Sequence, residues 1–113
     1  MKIYHNPRCS KSRQTLELIQ QAGQEPEIIE YLQEPPDAEE LENILELLGM
    51  EPQELMRTGE SVYRELGLAQ RALSRAEAIQ VLVENPQLIQ RPIVVAEHQA
   101  VIGRPPSNVV TLL

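Results

Sequence analysis

The chain opens on a short alternating run, Lys2-Ile3-Tyr4-His5, closed by Asn6-Pro7; this predicts a strand that ends in a turn. From about Ser10 to Ala22 the spacing becomes helical, with Leu16, Leu18 and Ile19 on one side and Gly23 as the stop. Glu27 to Tyr31 carries Ile28-Ile29 between turn-forming residues and predicts a second strand. The first third therefore reads β-α-β.

The middle is helical. Asp37 and Glu40 have the spacing of a capping box, for a helix ending near Gly49. Pro52 suits the first position of a short helix carrying Leu55 and Met56, and another short helix is predicted over Ser61 to Leu66, before Gly67. Ser74 with Glu77 is a second capping box, opening a helix that stops at Asn85-Pro86. Strand character returns at Pro92-Ile93-Val94-Val95 and again at Ala100-Val101-Ile102. The short link through Glu97-His98-Gln99 predicts an antiparallel hairpin. Pro105-Pro106 starts a terminal helix carrying Val109, Val110 and Leu113. The order is that of an α/β, thioredoxin-like fold with a helical insertion between the second and third strands. With no repeat, linker or low-complexity segment, residues 1–113 read as a single domain.

Composition narrows the chemistry. Hydrophobic residues make up 42% of the chain, but there are three Tyr, no Phe and no Trp, so the core must be aliphatic and base-stacking surfaces are hard to assemble. The net charge of −7 argues against nonspecific nucleic-acid or anionic-membrane binding. Charge is also segregated. Between Glu25 and Glu60 there are twelve acidic residues and one base, Arg57; the remainder holds five acidic and nine basic residues. A single cysteine excludes an internal disulfide and a zinc site of several thiolates. No signal-peptide pattern opens the sequence and no apolar run approaches the roughly 20 residues of a membrane span, so a cytoplasmic protein is expected.

That cysteine, Cys9, stands where the first strand turns into the first helix. Unpaired N–H groups and the positive end of the helix dipole favour a thiolate there. Arg8, Lys11 and Arg13 add charge, which should lower the thiol pKa below about 8.5, and the same N–H groups can hold an oxyanion. A lone cysteine is more often a small buried apolar side chain; the strand-to-helix turn and three nearby cations favour reactivity. His5, at a strand end, reads as structural when taken alone, and the cations could equally form a solvated face. Arg57, Arg91 and Arg104 read by themselves as ion-pair partners.

The run His5-Asn6-Pro7-Arg8-Cys9-Ser10-Lys11-Ser12-Arg13 resembles the cysteine loop of the glutaredoxin-coupled arsenate reductases. The resemblance continues in order through Leu55-Met56-Arg57, Glu65-Leu66-Gly67-Leu68, Arg91-Pro92-Ile93-Val94-Val95 and Gly103-Arg104-Pro105. It implies a thioredoxin-like fold and a nucleophilic Cys9 that attacks arsenate or a similar oxyanion. It also implies His5 as the residue that keeps the thiol ionised, Arg57, Arg91 and Arg104 as anion-binding arginines, and a cis Arg91-Pro92 peptide. Ser10, Lys11, Ser12 and Arg13 are candidates for the loop that holds the anion, although Ser10-Lys11 stands where the well-known reductases carry Gly-Thr. The chain looks nearest to the short branch of the family.

With one cysteine, an external thiol must resolve the adduct, which agrees with glutathione and glutaredoxin as the family's reductants. No bound cofactor and no metal are expected. Two alternatives stay open: a thiol oxidoreductase of another substrate, and a non-catalytic regulator of the same superfamily that binds RNA polymerase. Those regulators typically carry Cys-x-x-Cys, where this chain has Ser12, and lack an arginine matching Arg104.

Overall fold

In the computed structural model, which describes residues 1–113, the alternating Lys2-Ile3-Tyr4-His5 run forms the central strand β1 (Lys2–His5). It pairs in parallel with β2 (Glu27–Glu30), Ile3 opposite Ile28 and His5 opposite Glu30. On its other side it pairs antiparallel with β3 (Ile93–Val95), Ile3 opposite Val94. The expected hairpin joins β3 to β4 (Ala100–Ile102), Val94 opposite Val101, and the sheet order is β2-β1-β3-β4. Helix α1 (Ser10–Gln21) makes the crossover between the two parallel strands. A parallel βαβ unit continued by an antiparallel hairpin and a closing helical segment is the thioredoxin-like arrangement, as the sequence order predicted.

These elements belong to one compact unit, residues 1–34 with 91–113. Its core gathers Ile3, Ile19, Val94 and Val109, all fully buried, with Leu16, Leu18, Val101 and Leu112 packed against them. The predicted face of α1 needs correction. Its fully buried positions are Ser12, Thr15 and Ile19, spaced i, i+3 and i+7, while Leu16 and Leu18 lie at the margin. The terminal segment also differs from expectation: Pro106–Leu112 is a 3-10 helix, so Val109 and Leu112 share one side at three residues per turn. Val110 and Leu113, expected on the same terminal helix as Val109, are exposed.

Gly103 closes this unit tightly. A Cβ at that position would collide with the Thr15 side chain on α1 and lie 2.8 Å from Pro92 Cγ. The Gly103 N–H also donates to the Pro92 carbonyl at 2.9 Å. Arg91-Pro92 is cis, as the family resemblance implied, and so is Arg104-Pro105, which nothing in the sequence singled out.

The second compact unit, residues 35–90, is the insertion. Helix α2 (Ala38–Leu48) starts where expected, the Asp37 carboxylate accepting from the Glu40 N–H at 2.8 Å, and ends at Gly49 with φ of 68°. Pro52–Leu55 is a 3-10 turn, and Met56, expected inside it, instead bridges antiparallel to Ile89. Helix α3 (Ser61–Glu65) is short, and α4 (Arg75–Glu84) carries the reciprocal Ser74–Glu77 capping box. Leu41, Leu45, Leu55, Leu82 and Leu88 are wholly buried. Arg75 reaches both Glu42 (2.9 Å) and Glu51 (3.1 Å). No helix of the chain is long and apolar enough to cross a membrane.

Candidate active site

The turn after β1 decides where Cys9 sits. The Cys9 N–H donates to the Asn6 carbonyl at 3.0 Å, and the Asn6 side chain accepts from the Arg8 N–H at 3.0 Å. Cys9 is thereby held extended (φ −94°, ψ 122°) as the N-cap residue of α1. Its sulfur makes no conventional cap, and the first turn of the helix contains no acidic side chain. The N–H groups and the positive end of this helix therefore face the sulfur without a competing carboxylate.

Cys9 is half-buried. Burial is the largest single influence on its thiol and opposes ionisation, but the Ser12 N–H, a hydrogen bond from Arg91, the Lys11 N–H and the Arg91 charge together outweigh it. The thiol is held below its ordinary range. For the half-buried Arg91 guanidinium, burial likewise works against the charge, while the hydrogen bond to the sulfur and the neighbouring Tyr31 favour it. Tyr31 is buried at the end of β2 and was not singled out by the sequence; one tyrosine among three, in a turn, carries no signal of such a contact.

A second network lies beneath the cysteine loop. His5 Nδ1 and Ser12 Oγ are 2.6 Å apart, and Ser12 Oγ also accepts from the Asn6 N–H at 3.0 Å; all three residues are buried. Burial is the main reason His5 is held below its ordinary value of 6.5; Glu30 opposes this weakly and Arg13 adds to it. His5 is bonded to the residue whose N–H faces the sulfur, and burial disfavours its charged form.

The remaining sequence candidates fall in different places. The Ser12 side chain is occupied by His5 and Asn6, so that residue presents its backbone N–H to the sulfur. Ser10, Lys11 and Arg13 have exposed side chains, and Arg13 Nη1 donates to the Pro7 carbonyl at 2.9 Å, bracing the loop. Arg104 is exposed and forms no ion pair. Arg57 lies in the helical unit, where it pairs with Glu60 at 2.6 Å, and its N–H donates to the Leu88 carbonyl. No group of three or more His, Cys, Asp or Glu side chains is gathered as a metal ion would require.

Residues 4–112 match the ArsC family. The uncharacterized protein YfgD of Escherichia coli is 53% identical over the whole of this chain and 96% of its own length. An arsenate reductase of Haemophilus influenzae is 44% identical over 98% of this chain and 97% of its own. The structure of an arsenate reductase from Vibrio cholerae superposes with a TM-score of 0.95 at 45% identity, covering 99% of this chain and 96% of that one.

Proposed function

Because the chain belongs to the ArsC family, we propose that it is an oxidoreductase of the arsenate reductase type, acting through Cys9 as its only nucleophile. The observation that carries this reading is the cysteine sulfur at an acid-free helix N-terminus, with the Arg91 guanidinium bonded to it. Such a sulfur is nucleophilic at neutral pH, and the groups that stabilise it are those that would receive an oxyanion.

In the proposed reaction the Cys9 thiolate attacks arsenic, an S–As bond forms, and one arsenate oxygen leaves as water after taking up protons. Arg91 and the Lys11 and Ser12 N–H groups offset the anion's charge. Arg104 and Arg57 are assigned to the same anion by the family motif, and Ser10, Lys11 and Arg13 to the loop around it. His5, through Ser12, fixes the loop on which the thiolate depends. The two electrons that convert As(V) to As(III) come from thiols that end as a disulfide. With one cysteine in the chain those electrons must come from outside, from glutathione and glutaredoxin, and no bound cofactor is needed. On this reading residues 1–113 act as one functional domain in the cytoplasm.

The test is arsenate-dependent NADPH oxidation with glutathione, glutaredoxin and glutathione reductase, comparing wild type with Cys9→Ser. Turnover that disappears in the variant supports the assignment. Absence of turnover, with Cys9 still rapidly alkylated at neutral pH, would discard arsenate and leave a thiol oxidoreductase of another substrate.

A further inference from the structure

Two reactants, an oxyanion and a reducing thiol, need two places to bind, and beside the cysteine loop the structure has a cleft with charges unlike those around the sulfur. It encloses about 260 Å³ between residues 5–8 on one side and Glu30, Leu32 and Gln33, at and after the end of β2, on the other. Resting on the reading above that an external thiol reduces the adduct, we propose that this cleft docks that thiol as a cysteinyl tripeptide of the glutathione class. Its α-ammonium sits at Glu30 and a carboxylate at Arg8.

The cleft is open and its volume lies just below the usual range for small-molecule sites, which limits it to a ligand no larger than a short peptide. The charges then select among such ligands. Arg8 and Glu30 are both exposed and neither enters an ion pair; the only polar contact of Arg8 is its backbone N–H on Asn6. A ligand with both signs of charge satisfies the two together, whereas an arsenate entering here would meet the Glu30 carboxylate. The cleft is thus matched to the zwitterion and mismatched to the oxyanion. Half-exposed Leu32 gives an apolar surface for the ligand's methylenes, and the Gln33 amide can bond a peptide group. Position completes the case. The cleft borders the cysteine loop, since Arg8 in its wall directly precedes Cys9 in the chain.

The probe is S-methylglutathione, whose blocked sulfur cannot react, titrated into 15N-labelled protein. Saturable shifts are expected at residues 5–8 and 30–33, in wild type and Cys9→Ser alike, and inorganic phosphate should not reproduce them. Arg8→Gln and Glu30→Gln should each weaken binding by about threefold to fivefold, the scale of an exposed charge contact. In the coupled assay Glu30→Gln should raise the KM for glutathione by the same factor, with kcat and the KM for arsenate unchanged. Shifts that do not saturate, that fall outside these segments, or whose affinity is unchanged by both charge substitutions would overturn the proposal. Because the titration needs no turnover, failure of arsenate reduction would not pass for failure of the cleft.

Discussion

The two units start their helices and fill their interiors by different rules. In the helical unit, α2 and α4 are capped by the oxygens of Asp37 and Ser74, and their first turns carry Glu39, Glu40 and Glu77. Those carboxylates neutralise the positive helix ends. Helix α1 of the sheet unit has a cysteine at the cap and no acid in its first turn, with Lys11 and Arg13 there instead. Burial divides the same way. The four buried polar side chains, His5, Asn6, Ser12 and Thr15, all lie in the sheet unit, while the buried side chains of residues 35–90 are apolar. The helical unit follows the rules that maximise stability. The sheet unit departs from them at one place, the turn that holds Cys9, and the departures leave an uncompensated positive field around a sulfur.

The comparison can be broken most severely in the apolar interior. Leu82 is wholly buried on α4, and Leu82→Ala should cost about 2–5 kcal/mol through lost transfer energy and the cavity left behind. Urea unfolding with an unchanged m-value checks this. A cost below about 1 kcal/mol would mean that the helical core collapses around the gap, and that its packing is looser than its burial suggests. Next in size is Ser12→Ala, which removes the partner of both the buried His5 Nδ1 and the buried Asn6 N–H. Leaving those groups unpaired should cost about 1–3 kcal/mol, well beyond the loss of one methyl-sized atom. Unlike Leu82→Ala, it should also slow Cys9 alkylation, because the Ser12 backbone that faces the sulfur loses its tether.

Much of this was legible from residues that obey the ordinary rules. The KIYH alternation located β1 to the residue, Ser74 with Glu77 located the start of α4, and the Val-rich runs around Glu97-His98-Gln99 gave the hairpin. Cys9 was legible as a cap because a strand, a turn and a helix follow in nine residues. The misses share a cause: polar residues doing interior work. Counting apolar positions on α1 put Leu16 and Leu18 inward, because Ser12 and Thr15 do not look like core until His5, Asn6 and Gly103 are seen beside them. Glu51 with Glu54 forms a capping box that Ser, Thr, Asp or Asn would have advertised and Glu does not. The 3-10 winding of Pro106–Leu112 was hidden because Val109 and Val110 suit either helix. Arg91 against Tyr31 and the sulfur is a contact between distant positions, which spacing cannot report.

The smallest expected effect on stability, and the sharpest on chemistry, belongs to Arg91. Its guanidinium is bonded to the Cys9 sulfur, and its charge and hydrogen bond both favour the thiolate. Arg91→Ala should raise the pH midpoint of Cys9 alkylation, and Arg91→Lys should fall between it and wild type, since an ammonium keeps the charge and loses the planar fork. The sign for stability follows. A thiol whose pKa is lowered by folding contributes stability that is present above its unfolded value, about 8.5, and is lost as pH falls through the lowered folded value. The stability gap between wild type and Arg91→Ala should therefore be widest in mild alkali and narrow toward acid. Unfolding curves at several pH values check that trend. A midpoint that stays at its wild-type position in Arg91→Ala would assign the activation of Cys9 to the N-terminus of α1 alone.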